Sequence, residues 1–238
     1  MIRERFFFRE TIATILADEP AHIAAAKNGI LSARQALEKY IARDPFFKTT
    51  FDPYEPDSDE PVIVRMAKAA KKAGVGPMAA VAGAIAWAGI DAMVDEGAQF
   101  GVIDNGGDIA LVNANRPVRV GIHAGESPLS DRVAFIVPPG NTIRGICTSS
   151  ATVGPSISFG VADSVTVISD NPALADAWAT AICNRIRVND TSVLDELDRC
   201  EVTGVFAVIG NHTERFGDLP PLVRAVVDEH LISAGDRL

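Results

Sequence analysis

Cysteine is scarce in this 238-residue chain, and the three present, Cys147, Cys183 and Cys200, lie too far apart for a Cys-x-x-Cys metal motif. Their odd number argues against a disulfide framework, so a reducing, cytoplasmic setting fits best. Histidine is equally sparse: His22, His123, His212 and His230 lack zinc-ligand spacing, and neither a zinc site nor a catalytic dyad is expected from them. Basic residues are outnumbered, 22 against 31 acidic side chains, and the net charge of -9 repels a phosphate backbone. The densest basic cluster, Lys68, Lys71 and Lys72, reads as a solvated helix face, so nucleic acid is not an expected partner.

Long apolar runs are missing too. The stretch from Pro77 to Ile90 reaches 14 residues before Asp91. That is short of the roughly 20 needed to span a bilayer, so no membrane segment is expected and the stretch reads as a buried helix of a soluble protein. At the start, Arg9 and Glu10 interrupt the Phe6-Phe7-Phe8 triplet before a signal-peptide core can form, and secretion is not expected.

What is present suits a large buried core, with 47% hydrophobic and 22% charged residues. One domain is expected over residues 1–238. Residues 1–50 form its N-terminal part, with a strand over 2–9 and a helix from Ala21 to Ala42 that ends at Asp44-Pro45. Residues 51–61 carry three prolines and five acids and read as an exposed linker. The main body, 62–238, opens with a helix from Pro61 to Ala73 and a small-residue helix from about Pro77 to Glu96, stopped by Gly97. Strands are predicted at Phe100–Ile103, from Ala110, and at Val118–His123, Val133–Val137, Val161–Ser169 and Val205–Ile209. Further helices are predicted at Pro172–Arg187 and near Val223–Ile232. The mixture predicts an α+β fold. It carries a weak internal echo, because helices opening at Pro77 and at Pro172 both lead to an apolar strand and a Gly/Asn turn.

Three constellations could carry chemistry. In Asp104-Asn-Gly-Gly-Asp108, two glycines after a strand offer exposed N–H groups and room for a bulky ligand, although Asn-Gly is equally a hairpin signal. Asp176 and Thr180 stand one helical turn apart and share a face, where a carboxylate and a hydroxyl could hold one magnesium ion against a nucleotide, or simply lie on the helix surface. The run Gly145-Ile-Cys-Thr-Ser-Ser-Ala-Thr-Val-Gly154 clusters hydroxyls able to meet phosphate oxygens, and it also fits an ordinary polar loop between strands. Cys147 within it reads as a buried, inert thiol rather than a nucleophile. Phe6 to Phe8 and the long apolar helix faces leave room for a homodimer interface.

The order of these elements resembles the ApbE family of FAD:protein FMN transferases. The resemblance runs over residues 75–187, through the small-residue helix, Asn105-Gly-Gly-Asp-Ile109, Thr148-Ser149-Ser150, Ser164-Val-Thr-Val-Ile168 and Asp176-Ala-Trp-Ala-Thr-Ala181. It implies an α+β, T-fold-like architecture of mixed or antiparallel sheets with packed helices, in pseudo-duplicated halves. It implies a magnesium-dependent split of the FAD pyrophosphate, with FMN passed to a Thr or Ser of an acceptor protein. By the same resemblance, Asp176 and Thr180 take the metal, Asn105, Gly106, Gly107 and Asp108 take the flavin nucleotide, and Thr148 and Ser149 lie near the bound ligand. Two departures stand out. Trp87 occupies the place of the family's Lys, and the His-x-x-Asp-Pro-x-Thr-Gly segment is replaced by a short bridge over 152–162. The chain therefore resembles a shorter branch of the family, and a flavin- or nucleotide-binding protein that has lost FMN transfer is the alternative to an enzyme.

Overall fold

Proline opens most of the helices, because its fixed φ suits the first turn and its missing N–H is not needed there. Pro20 begins α1 (Pro20–Arg43), Pro61 begins α3 (Pro61–Ala73), and Pro172 begins α5 (Pro172–Arg185). Between them lie the single turn α2 (Phe46–Thr49) and a 3-10 turn, Pro77–Ala80, that runs into α4 (Val81–Asp95). Gly74, at φ +68°, closes α3 in the left-handed cap that glycine allows. The structure is a computed structural model that describes residues 1–153 and 160–225.

Eight strands form one antiparallel sheet: β1 (Ile2–Phe8), β2 (Thr11–Ala17), β3 (Phe100–Asn105), β4 (Asp108–Asn113), β7 (Gly140–Ser149), β8 (Ser164–Ser169), β9 (Gly204–Ile209) and β10 (His212–Gly217), adjacent in that order. Three more, β5 (Val118–Gly121), β6 (Val133–Val137) and β11 (Leu222–Arg224), form a small antiparallel sheet in the order β11-β6-β5. The internal echo is visible in the topology. A hairpin, a helical segment and a second hairpin make β1–β4, and the same sequence of elements makes β7–β10, so the large sheet is two like halves joined at the β4–β7 pair.

The large sheet is covered on both faces. Ile15, Ile103, Ala110, Val167 and Ala207 pack under the helices, whereas Val102, Leu111, Ile146, Ile168 and Phe206 pack under the small sheet. Successive residues thus turn to opposite faces, as the strand period of two requires. Phe135 of β6 meets Phe206 of β9 edge to face across the second interface, with ring centroids 5.9 Å apart. Pro77–Asp95 spans 19 residues of mean hydropathy 1.5, enough by length and composition to cross a membrane, a longer run than the sequence count suggests. Here it packs against α1, α5 and strands β3 and β4, with half of its apolar window buried.

Several elements depart from expectation. Strands β2, β7 and β10 are additional; β10 is an edge strand whose polar residues face outward, which weakens its sequence signal. Val223 and Arg224, expected to begin a helix, lie in β11 and pair with β6 instead, and residues 226–232 of that predicted helix lie outside the described residues. Residues 50–60 carry no helix or strand, but Tyr54 is anchored. Its hydroxyl donates to Asp44 at 2.8 Å, and its ring meets Phe46 and Phe47 edge to face.

Candidate functional site

The β3–β4 connection is a two-residue turn. Gly106 and Gly107, at φ +71° and +103°, close the Asn105–Asp108 pair, a conformation that residues with a Cβ adopt only under strain. The hairpin reading of Asn-Gly-Gly-Asp therefore holds locally. Gly107 N–H donates back to Asp104 Oδ1 at 2.8 Å, while Gly106 faces open space. Asn105 is buried, and its side-chain amide donates to the Ala82 carbonyl at 3.1 Å, fastening the turn to the start of α4.

Asp176 reaches this turn because the N-terminus of α5 is wedged between two glycines. A Cβ on Gly83 of α4 would lie 2.4 Å from the Pro172 carbonyl oxygen, and one on Gly145 of β7 would lie 2.4 Å from Pro172 Cα. No larger residue fits either place. Asn171 caps the helix by accepting from Leu174 N–H at 2.9 Å, and Asp176 Oδ2 accepts from Gly83 N–H at 2.8 Å.

Two carboxyls thus come together at the cleft wall, Asp176 buried and Asp108 half-buried. Burial pushes Asp176 up to about 7, held back by the N–H groups of Gly83 and Ala82. Asp108 is raised well above the carboxylate range, first by burial and then by the charges of Asp176 and Asp104. Among the described residues Asp108 Oδ1 is buried without a hydrogen-bond partner, an uncommon state for a group that costs so much to desolvate. Cys147, opposite Asp108 in register, is buried, its thiol 3.4 Å from the Pro172 carbonyl. Burial and the same two carboxyls raise its thiol well above the usual range, which leaves it protonated and unreactive.

Thr148 and Ser149 lie on the last two residues of β7 and not in the loop expected from their polar neighbourhood. Gly145 opens the run that also fits a polar loop in sequence, but it serves here as the seat for Pro172. Thr148 Oγ1 shares a hydrogen bond of 2.9 Å with Thr166 on β8. Asn105, Gly106, Gly107, Asp108, Thr148, Ser149, Asp176 and Thr180 all line one open cleft of about 3100 Å³. Gly154, and most of the 152–162 bridge, fall outside the described residues.

Among the described residues no group of three or more His, Cys, Asp or Glu side chains forms a metal cluster. The donors at hand for a hard cation are Asp108, Asp176 and Thr180, all oxygen. A divalent ion would meet the unpartnered Asp108 oxygen and relieve the repulsion between the carboxyls, so the residues fit magnesium. Trp87 is not part of this cleft. The Arg65 guanidinium stacks 3.9 Å above its ring and pairs with Asp91 at 2.6 Å.

Sequence spacing missed three features of the site. Nothing local pairs Asp108 with Asp176, nothing marks Gly83 and Gly145 as seats for Pro172, and nothing joins His123 to Asp131, whose carboxylate oxygens both lie 3.1 Å from the ring Nδ1.

A two-halved antiparallel sheet under a helical layer, with an acidic cleft beneath a Gly-Gly turn, defines an ApbE-like α+β protein. The flavin transferase ApbE from Vibrio cholerae superposes with a TM-score of 0.55 at 15% identity, over 90% of this chain and 96% of that one. The apo form of Pseudomonas stutzeri flavinyl transferase ApbE gives 0.57 at 17% identity, over 99% and 98%. These likenesses establish the fold. The family model described as AbpE bacteria matches residues 8–201, and the chain belongs to that family. Among its relatives, the UPF0280 protein of Methanoregula boonei is 65% identical over the full length of both chains. That of Methanoculleus marisnigri is 65% identical over 99% of this chain and 96% of its own.

Proposed function

We propose that this protein is a magnesium-dependent enzyme that splits the pyrophosphate of FAD or a related nucleotide in the cleft below the Gly106-Gly107 turn. One observation carries the reading: beside Asp176 lies a buried Asp108 oxygen with no hydrogen-bond partner among the described residues, a site suited to a cation. The likeness in fold to the flavin transferase ApbE of Vibrio cholerae and the flavinyl transferase ApbE of Pseudomonas stutzeri supports the choice of nucleotide. Magnesium held there would polarise the phosphoryl oxygens. Asp176 and Thr180 would hold the metal from α5, with Asp108 facing it from β4. The Asn105–Asp108 turn would seat the flavin nucleotide, and the Thr148 and Ser149 hydroxyls would border the ligand. The receiving group is a hydroxyl, from water or from an acceptor protein. Three cysteines, none of them in a disulfide, support a reducing, cytoplasmic setting.

Incubation with FAD and magnesium is expected to yield FMN and AMP, resolved by chromatography. Asp176→Ala should lower the rate by about 10²-fold or more, the scale on which lost electrostatic stabilisation acts. Turnover that survives the substitution would refute the metal role.

Trp87 favours a second reading, a flavin-binding protein without transfer activity, because α4 sends no cation into the cleft. Purified protein that is yellow and leaves FAD intact would establish it. On either reading Trp87→Lys should not raise FMN release, since residue 87 packs under Arg65 and outside the cleft. A clear gain in FMN release would show that the position reaches the ligand.

A further inference from the structure

The connection between β5 and β6 is tied down at many points. Ile122 N–H donates to Val133 O at 3.0 Å, Asp131 N–H to Ile122 O at 2.9 Å, and Ala124 N–H to Ser130 Oγ at 3.0 Å. Ser127 Oγ donates across to the Gly210 carbonyl at 2.8 Å, anchoring the connection to the β9–β10 turn. Within this frame Asp131 is held at φ +61°, a left-handed conformation that Asp tolerates better than most residues but that still stores strain.

The strained turn sets the Asp131 carboxylate against His123. Both of its oxygens lie 3.1 Å from Nδ1, and Ser130 Oγ donates to Asp131 Oδ2 at 3.1 Å. A carboxylate in that place draws the neutral ring's proton onto Nδ1 and leaves the lone pair on Nε2. Nε2 has no partner among the described residues, and the side chain is about one-third exposed, at 36%. His123 lines the same cleft as Asp108, Asp176 and Thr148. The connection also leans on the chain leaving β7, for a Cβ on Gly125 would lie 3.1 Å from Thr152 Oγ1.

We infer that His123 is the general base of this cleft, with Asp131 as its positioning residue; the inference rests on the flavin-nucleotide reading above. The attacking hydroxyl forms a new O–P bond at the FMN phosphorus as the bond to the AMP oxygen breaks. Its proton passes to Nε2, AMP leaves as the phosphate, and no electrons are exchanged with a redox partner. A surface His–Asp pair that only braced the loop would need neither the open Nε2 nor a place on the cleft wall.

The test measures FMN release from FAD and magnesium with water as the acceptor. His123→Gln should lower kcat by about 10²-fold or more, within the range general bases contribute, with KM for FAD little changed. Added imidazole should restore part of the activity of His123→Ala and none of that of Asp176→Ala. Asp131→Asn, which tolerates the left-handed backbone, should lower kcat by about 10-fold, in keeping with other groups that orient a functional side chain. Wild-type rates in the His123 variants would overturn the inference and leave the proposed function standing. If the wild-type chain itself leaves FAD intact, the proposed function fails and the base role falls with it; in an active chain, nitrogen-15 NMR of the histidine rings tests the placement of His123 separately. A shift of the His123 Nε2 signal on adding ADP and magnesium, with exposed His212 unmoved, supports it. An unmoved His123 signal overturns it.

Discussion

Asp176→Asn is expected to stabilise the chain at about pH 8 in the absence of divalent cations, although it removes a proposed functional group. The carboxyl titrates near 7 in the fold against an ordinary value of 3.8, so between those values the folded state binds the extra proton. The stabilising contribution of the protonated carboxyl is complete below about pH 4 and is lost as pH rises through about 7, where burial must accommodate a charge. The amide is isosteric and its oxygen still accepts from Gly83 N–H. It also removes the charge that helps to raise Asp108. A gain of about 2 kcal/mol, roughly 4–8 °C in Tm for a chain of this size, is the expected scale.

Magnesium sharpens the test. It should raise the Tm of the wild-type chain at about pH 8 and leave that of Asp176→Asn nearly unchanged, because binding to the folded state alone appears as stability. For the same reason FMN release should rise with pH through about 7, as the Asp176 proton leaves and the oxygen becomes available to a cation. Equal stabilisation of both proteins by magnesium would place the cation elsewhere. A large loss of stability on Asp176→Asn would show that the carboxyl is not under electrostatic penalty.

Gly83→Ala is expected to have the second large effect. The added methyl would meet the Pro172 carbonyl oxygen at 2.4 Å and Asp176 Cβ at 2.8 Å, atoms at or next to the backbone that cannot swing aside. Overpacking of this kind costs about 1–3 kcal/mol, and more where backbone must shift, against about 1 kcal/mol that alanine returns as a better helix former. A net loss near 2 kcal/mol, or roughly 4–8 °C in Tm, follows. FMN release should fall by about 10-fold, since misplacing a catalytic group by a fraction of an ångström is costly. Gly101→Ala is the control. Its new methyl would meet the flexible Met93 side chain, at 2.4 Å from Cε, and should cost less, because methionine can repack. Equal losses in the two variants would show that the α4–α5 contact has no special tightness.

Much of the helical layer was legible in the chain. Pro61, Pro77 and Pro172 mark helix starts, and Gly97 marks a stop, because their backbone preferences act within a few residues. The Asn105–Asp108 turn was legible for the same reason, and so was the repeat of helix, strand and turn. Strand β7 was not. Gly145 and the Thr148–Ser150 hydroxyls carry the composition of a loop, and only the arrival of Pro172 against Gly145 explains a glycine in a central strand. Strand β10, solvated on one side, lacks the apolar run that betrays a buried strand.

Local chemistry by itself determined where the chain turns and where its helices begin and end, and the order of motifs determined the family. Those properties depend on neighbours in sequence, so a linear reading captures them. Only the tertiary structure decided that Asp108, Asp176 and Cys147 share one pocket, that Trp87 faces away, and that Asp131 holds His123 at the cleft wall. A carboxyl's charge state and an imidazole's open nitrogen depend on dielectric and on partners a few ångströms away in space. The spacing of those residues along the chain carries no record of either.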